Sequence, residues 1–340
     1  MANSFLIRLS AFAIIATYGH AGAQELKIAH LGDCPTEHHE VIKDCQLGYR
    51  TFGQLDAAKS NIIVFPTWAS GKTEQIIPLI APGGLLDSSK YFVVAIDSFA
   101  NGISSSPSNS KLQPRLNFPQ ITIHDMVVAE HMLLTKELGL DHVFAVVGVS
   151  MGGMQTFDWI VSYPTFMDKA VPIVGSPKLP GYDLLLWQSE IDAIKADPGW
   201  MDGNYKTNPP TLAAARIAAL TLSTPTAVDK QMPDGKLPKR MTETSGGMDA
   251  NDRIRQAEAM MALDISRSAG GTMEAAAQQI KAKLLVIVSR QDHTVTPQPA
   301  MDLAKLLHSQ VLEIDSPCGH VVITCEVGQM GAATAKFLAE

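Results

Sequence analysis

The chain has 340 residues, of which 46% are hydrophobic and 18% charged, and its formal net charge is -7. This composition is typical of a packed globular protein and excludes an extended disordered chain. The negative charge and the lack of basic runs argue against nucleic acid or an anionic membrane surface as a partner. The length suits one large domain with an insertion, or two small domains.

The N-terminus has the pattern of an export signal. Arg8 precedes the apolar run Leu9 to Tyr18, and Ala21-Gly22-Ala23 fits a signal-peptidase site. We therefore predict that residues 1–23 are a cleaved signal peptide and that the protein is periplasmic or secreted. No later stretch is apolar over the roughly 18 residues that a spanning helix needs, so no stable membrane insertion is expected. An uncleaved membrane anchor is the alternative.

The next signal along the chain is a set of four cysteines, which oxidise readily in an exported protein. Of the three pairings, sequence proximity favours Cys34 with Cys45 and Cys318 with Cys325. A metal cluster is the competing interpretation, but neither a C-x-x-C pair nor a His pair at ligand spacing supports it. We predict no metal site and no cofactor.

Apolar runs in chain order predict the strands Leu26 to His30, Val41 to Phe52, Asn61 to Phe65, Tyr91 to Asp97, Val143 to Val147, Lys169 to Gly175, Lys283 to Ser289 and Val311 to Asp315. The first two are expected to pair antiparallel. Helical patterns lie between later strands, including one ended by Gly139 and a last one from Glu326 to Leu338. The alternation predicts an α/β fold with a doubly wound, mostly parallel sheet.

This alternation fails between about Lys178 and Gly271, where the patterns are helical only. Proline-rich stretches, including the one from Pro233 to Pro238, are typical of the connections between these helices. We predict a helical cap over residues 178–271, and a core formed by residues 24–177 and 272–340. An insertion at the carboxyl end of a parallel sheet lies where ligands bind, so the cap should cover the site.

The most informative stretch is Gly148-Val149-Ser150-Met151-Gly152, which lies between a buried strand and a helix that ends before Pro164. Strand, sharp turn and helix predict a nucleophile elbow, in which the flanking glycines leave room for two closely approaching backbones. Ser150 is then the nucleophile, and we expect its hydroxyl to be exposed at the tip of the turn. A purely structural glycine turn is the alternative.

A serine nucleophile needs a histidine base and a carboxylate that orients it, in the chain order Ser, acid, His for this fold. His320 follows the last strand, whereas His308 belongs to a helical pattern. Asp292 follows the strand that ends at Ser289, and Asp315 is the runner-up. We predict the triad Ser150, Asp292 and His320.

The oxyanion that forms during acyl transfer needs two backbone N–H donors. Met151, at the start of the helix, should supply one of them. The other should come from the loop after the strand Asn61 to Phe65, most simply from Trp68 and alternatively from Ala69. Trp68 could equally be an apolar wall of the pocket.

These residues resemble the homoserine O-acetyltransferase branch of the α/β-hydrolase superfamily. The similar segments are Leu47 to Leu55, Ser150 to Gln155, Ala196 to Trp200 with Gly203 and Tyr205, and Asp249 to Asn251. The resemblance extends over most of the mature chain. It implies the α/β-hydrolase fold and supports Ser150, Asp292 and His320 as the triad, because each falls on the matching motif.

The chain departs from that family at two substrate positions. The family usually has an aspartate after the catalytic histidine, where this chain has Val321, and an arginine in the region of Gly175 to Lys178. Losing a charge partner at a recognition site argues against homoserine as the substrate. Lys178 would be a weaker substitute for the arginine. We predict Trp68, Lys178 and Val321 as substrate contacts.

Export also separates the protein from acetyl-CoA, an intracellular acyl donor. With water as the acceptor, the same chemistry hydrolyses a small acyl ester or amide, so we favour a serine hydrolase. An acyltransferase of the resembled type is the alternative, and a binding protein on the same scaffold is a third hypothesis. The expected partner is a small-molecule acyl substrate. The sequence is compatible with a homodimer.

Overall fold

A computed structural model of the protein describes residues 25–232, 236 and 247–340. The predicted signal peptide and most of the stretch from Pro233 to Pro238 lie outside the described residues. The strands are β1 (Lys27–Pro35), β2 (Val41–Phe52), β3 (Ile62–Pro66), β4 (Phe92–Ile96), β5 (Val143–Val149), β6 (Met167–Ile173), β7 (Lys283–Ser289) and β8 (Gln310–Ile314). The α-helices are α1 (Thr73–Ile76), α2 (Ile123–Met132), α3 (Met151–Ser162), α4 (Gly181–Lys195), α5 (Leu212–Leu222), α6 (Pro225–Gln231), α7 (Ala250–Ala262), α8 (Met273–Gln279), α9 (Gln298–Leu306) and α10 (Val327–Ala339).

The strands form one sheet in the order β1-β2-β4-β3-β5-β6-β7-β8. Strand β2 pairs antiparallel with β1 and β4, and every later pair is parallel. The prediction of a mostly parallel α/β sheet with an antiparallel start is therefore confirmed. Strand β1 runs on to Pro35, so Cys34 and Cys45 lie in two paired strands rather than in a connecting loop.

The central strands are buried on both faces, and successive side chains of each strand point to opposite faces. In β3, Ile62 and Val64 belong to one hydrophobic cluster, and Ile63 and Phe65 belong to the other. Helices α2, α3, α8 and α9 pack on the first face, and α1 and α10 on the second. Burial on both faces explains why these strands are continuous apolar runs in the sequence.

Helix α2 ends differently from its prediction. The α-helical part stops at Met132, and Leu133–Glu137 continue it as a π-helical turn before Gly139. Gly139 has φ 61°, a left-handed conformation that glycine adopts without a steric penalty. None of the helices in the described ranges is long and apolar enough to cross a membrane.

Helices α4 to α7 form the cap between β6 and β7. At its base Lys178 and Asp264 form an isolated antiparallel bridge, and the Ile265 N–H donates to the Pro177 carbonyl at 3.2 Å. The chain thus enters and leaves the cap side by side. Cap residues such as Trp187 belong to the same hydrophobic cluster as the sheet face below. The boundaries of the cap at residues 178 and 271 stay a prediction.

The structure pairs the cysteines as sequence proximity favours. The Cα atoms are 5.8 Å apart for Cys34 and Cys45, and 6.5 Å apart for Cys318 and Cys325. The first pair joins β1 and β2, at the edge of the sheet opposite β8. The second brackets the short helical segment Gly319–Thr324.

Candidate active site

Ser150 lies at the sharp turn between β5 and α3. Its backbone has φ 57° and ψ -121°, a strained conformation for a residue with a side chain. A Cβ on Gly148 would overlap the backbone of Gly152, and one on Gly152 would come within 2.5 Å of the Pro66 carbonyl oxygen. The two glycines therefore allow the strand and helix backbones to approach, and the turn directs the serine side chain away from both.

Three of the predicted site residues come together at the carboxyl end of the parallel strands. The Ser150 hydroxyl oxygen is 2.8 Å from His320 Nε2, and His320 Nδ1 is 2.7 Å from Asp292 Oδ2. The other oxygen of Asp292 accepts hydrogen bonds from the backbone N–H groups of Thr294 at 2.8 Å and Val295 at 2.9 Å. With Asp292 accepting from Nδ1, Nε2 is free to accept the serine proton.

The three side chains are buried, contrary to our expectation of an exposed serine. Ser150 is 8% exposed, His320 7% and Asp292 3%. The cap explains the difference, because it packs directly on the loops that carry the histidine and the aspartate. The hydroxyl of Thr224 donates to the Pro317 carbonyl at 2.8 Å, and the hydroxyls of Thr221 and Thr294 are 3.1 Å apart.

Two other aspartates at strand ends do not take this place: Asp315, the runner-up, and Asp97, which precedes the serine in the chain and so does not fit the expected order. Asp97 is buried but hydrogen-bonds to the Thr73 hydroxyl at 2.7 Å and the Asn101 amide at 2.8 Å. Asp315 is exposed and accepts from the Gln291 amide at 2.7 Å. The hydrogen bonds described for His320 are to Ser150 and Asp292 instead.

The two predicted oxyanion donors belong to two different segments of the chain. Met151 begins α3, so its N–H has no acceptor within the helix. Trp68 lies in the loop that follows β3, and this loop is held from two directions. From α3, the Gln155 amide donates to the Thr67 carbonyl at 3.1 Å. From the cap, Gln256 accepts from the Ser70 N–H at 2.8 Å.

A cavity of about 520 Å³ opens at the serine and the histidine. Its lining is mostly apolar, which suits a small uncharged molecule. The described lining residues are Trp68, Ala69, Ser70, Val149, Ser150, Trp187, Glu190, Thr211, Ala215, Ala218, Leu222, Gly247, Met248, Arg253, Gln256, Met260, Thr294, His320, Val321, Ile323 and Thr324. Two of the predicted substrate contacts, Trp68 and Val321, are therefore in the cavity wall.

The structure does not bring the third predicted contact, Lys178, to the cavity. Its Nζ is 2.8 Å from Asp264 Oδ2 at the base of the cap, and its side chain is 56% exposed. The carboxylate of Asp264 holds the lysine outside the cavity wall, so this side chain joins the two ends of the insertion instead.

Two acidic residues of α4 lie close to the site and were not predicted. Asp183 is fully buried, accepts the Thr296 N–H at 2.9 Å, and leaves its Oδ1 without a hydrogen bond to a described residue. Burial raises the pKa of Asp183 to about 6, the nearby charge of Asp292 adds to the shift, and the hydrogen bonds from Thr296 oppose it. Two turns further along α4, burial raises the pKa of Glu190, whereas Arg253 opposes that shift.

The cap segments named for their family resemblance contact each other. The Trp200 indole N–H donates to Asn251 Oδ1 at 2.9 Å, and the Asn251 amide donates to the Gly203 carbonyl at 2.9 Å. The Tyr205 hydroxyl donates to Asp249 at 2.6 Å. This network fixes the start of α7, the helix that carries Arg253 and Gln256 to the cavity.

Within the described ranges, no three His, Cys, Asp or Glu side chains are grouped as metal ligands. The site offers a nucleophilic hydroxyl, a base that can take its proton, and two candidate backbone donors for an oxyanion.

The model of the α/β-hydrolase fold family matches residues 61–324. The chain belongs to this family. The ethyl acetate hydrolase of Pseudomonas veronii is 30% identical over 331 residues, covering 92% of this chain and 94% of that protein. The homoserine O-acetyltransferase of Methanosalsum zhilinae is 28% identical over 367 residues, covering 94% and 74%. The crystal structure of the acetyl esterase MekB superimposes with a TM-score of 0.86 and 29% identity, covering 94% of this chain and 98% of that one.

These comparisons confirm the α/β-hydrolase fold and the branch that the sequence resembles. Relatives in this branch include both hydrolases and acetyltransferases. The chain is therefore an enzyme of the α/β-hydrolase type that acts by hydrolysis or acyl transfer.

Proposed function

We propose that this protein is an exported serine esterase that hydrolyses small acyl esters through an acyl-enzyme intermediate. The observation that carries the proposal is the hydrogen-bonded series of Ser150, His320 and Asp292 facing an apolar cavity. The names of the ethyl acetate hydrolase and of the acetyl esterase support acetyl and other short acyl esters as the substrate class.

In the first half of the proposed reaction, the Ser150 oxygen attacks the carbonyl carbon while His320 Nε2 takes the hydroxyl proton. Asp292 holds the imidazole in orientation and stabilises its positive charge. The N–H groups of Met151 and Trp68 donate to the oxyanion of the tetrahedral intermediate. Its collapse breaks the ester C–O bond, and the leaving alkoxide takes the proton from His320.

In the second half, His320 accepts a proton from a water molecule while the water oxygen attacks the acyl carbon. The new tetrahedral intermediate collapses, the Ser150 oxygen regains its proton from the imidazolium, and the carboxylic acid leaves. Because the cap covers the site, both the ester and the water must enter through the cavity. The cap then selects which acyl and alcohol groups fit.

Water is favoured as the acceptor by the export signal and by Val321, which stands where the resembled family usually has an aspartate. An acyltransferase remains the second candidate because the homoserine O-acetyltransferase relative covers 94% of the chain. Export itself is tested by N-terminal sequencing of protein recovered outside the cytoplasm. A mature chain that begins at Gln24 supports the signal peptide, whereas one that retains Met1 contradicts it.

The test of the proposed function uses the mature protein with a panel of activated short acyl esters and amides. We expect a burst of alcohol release, and a fluorophosphonate should label Ser150. Ser150→Ala should lower kcat by about 10⁵-fold or more and abolish labelling while the fold is retained. Full labelling of Ser150→Ala, or no turnover of any ester by wild-type protein that has not been exposed to the label, would contradict the proposal.

The acyltransferase candidate needs a separate measurement with acetyl-CoA and homoserine. If the protein is an esterase, acetate accumulates from ester substrates and little O-acetylhomoserine forms. Predominant transfer to homoserine in competition with water would instead establish the second candidate.

A further inference from the structure

An ion pair lies in the wall of the cavity that contains the serine. Glu190 of α4 and Arg253 of α7 both line this cavity, and Arg253 Nη2 is 2.5 Å from Glu190 Oε2. The side chain of Glu190 is only 2% exposed and that of Arg253 is 26% exposed. The pair is thus a partly desolvated polar feature in an otherwise largely apolar lining.

The charges of this pair cancel. Among the described residues that line the cavity, Arg253 is the only arginine or lysine, and Glu190 is the only aspartate or glutamate. The remaining titratable side chain, His320, is assigned to proton transfer. A substrate carboxylate entering the cavity would need a cation to replace its lost hydration. Arg253 is already bonded to Glu190, and Glu190 itself repels a second carboxylate.

We propose that the Glu190–Arg253 pair sets the substrate class of this site, so that uncharged acyl esters are accepted and esters bearing a carboxylate are rejected. The inference rests on the proposed esterase function and adds a selectivity determinant to it. Glu190 acts here by occupying the arginine that an anionic substrate would otherwise bind. Both residues are on the cap, so they are distinct from the groups that make and break the ester bond.

A purely structural ion pair between α4 and α7 makes a different prediction. If the pair only joined the two helices, its removal would change the hydrolysis of neutral and anionic esters in parallel. If it sets the substrate class, removing Glu190 alone frees Arg253 and improves the relative use of anionic esters. The ratio of the two kcat/KM values is therefore the informative measurement.

The probes are two matched pairs of esters. In the first pair the acyl parts differ: ethyl 4-oxopentanoate ends in a neutral methyl ketone, where monoethyl succinate ends in a carboxylate. Acetoxyacetone and O-acetylglycolate differ in the same way in the alcohol part. Using both pairs makes the experiment independent of which end of the ester lies near Arg253.

Wild-type protein should prefer the neutral member of at least one pair by about tenfold or more, since like charges at a desolvated site are strongly unfavourable. Glu190→Gln should shift that ratio towards the anionic ester by at least about tenfold. The matched control is the double variant Glu190→Gln, Arg253→Gln. It lacks the free cation, so its ratio of neutral to anionic ester use should return towards that of the wild type. Circular dichroism and thermal melting establish that each variant is folded.

Glu190→Asp supplies a second test in case the amide variant does not fold. It keeps the charge but draws the carboxylate back by one methylene, so we expect a smaller shift in the same direction, about threefold. An unchanged ratio in a folded Glu190→Gln or Glu190→Asp variant would overturn the inference, as would equal use of both members of each pair by the wild type. Failure of the wild type to hydrolyse either neutral ester would instead count against the esterase function.

Discussion

The core and the cap hold their polar groups in different ways. In the core, Ser150 is placed by backbone geometry, through a strained turn and two glycines that cannot carry a Cβ. In the cap, Glu190 and Arg253 are placed by a side-chain contact between two helices. The nucleophile is thus placed by local chain geometry, whereas the two charged cap groups are placed by a contact between residues distant in sequence.

The largest expected effect tests the core half of this comparison. Asp292→Asn should lower kcat by about 10⁴-fold, because the amide cannot stabilise the imidazolium and favours the wrong tautomer of His320. The measurement is steady-state hydrolysis of a short acyl ester.

Asp315→Asn is the matched control, since Asp315 ends up exposed and bonded to Gln291. We expect its kcat to stay within about twofold of the wild type. Equal losses in the two variants would mean that Asp292 has no special part in the reaction.

The second prediction concerns the turn itself. Gly148→Ala should lower the free energy of unfolding by about 3 kcal/mol or more, because the new methyl group would overlap the backbone of Gly152. Denaturant unfolding measures this loss.

Gly328→Ala is the control because a Cβ there meets nothing within 4 Å. Its stability should change by less than about 1 kcal/mol. A Gly148→Ala protein as stable as the wild type would show that the strand and helix do not need the close approach.

The two cysteine pairs sharpen the comparison further. Replacing Cys34 and Cys45 by serine should cost about 3 kcal/mol of unfolding free energy from loop-closure entropy, with kcat/KM close to the wild type. The crosslink between Cys318 and Cys325 closes a shorter loop, so replacing both cysteines by serine should cost about 2 kcal/mol of unfolding free energy. That second change should also lower kcat, because the pair brackets the segment that carries His320.

Unfolding curves and ester kinetics on the two double variants, alongside the wild type under reducing conditions, provide the measurement. If the Cys318 and Cys325 variant kept full activity, the bracketed segment would not need the crosslink to hold the histidine.

The smallest expected effect is a pH dependence in the cap. Because the folded state raises the pKa of Asp183 to about 6, it binds this proton more tightly than the unfolded chain does. The resulting stability is complete below the unfolded pKa of about 4 and is lost as the pH rises through about 6. The asparagine of Asp183→Asn does not titrate, but its side-chain oxygen can still accept the Thr296 N–H. The melting temperature of this variant minus that of the wild type should therefore increase between about pH 4.5 and pH 7.5.

Asp192→Asn, on the same helix with its side chain bonded to Gln188, is the control. A difference in melting temperature between Asp183→Asn and the wild type that stays constant over this pH range would contradict the expected titration of Asp183.

Much of the core could be predicted because its signals are local. The bounds predicted for β7 are those of the structure, and Ser150, Asp292 and His320 each follow a strand that an apolar run marks. Even so, their burial was missed, since the sequence does not show how closely a cap packs.

The cap contacts could not be predicted because they join residues that no periodicity connects. Asp183 meets Thr296, and Glu190 meets Arg253, across separations that only the tertiary fold closes. Lys178 has the charge that a substrate contact needs, but in the folded chain its ammonium group pairs with the carboxylate of Asp264. Gln155 lies within the motif that was singled out, yet its bond to Thr67 depends on a loop from another strand.

The bridge between Lys178 and Asp264 has a consequence for how such an enzyme can diversify. Since the polypeptide enters and leaves the cap side by side at this bridge, a different insert with the same spacing between its ends could replace the cap there. Ser150, Asp292 and His320 all lie outside the exchanged stretch. A new specificity could then be acquired by recombination at this junction, with the hydrolytic machinery inherited unchanged.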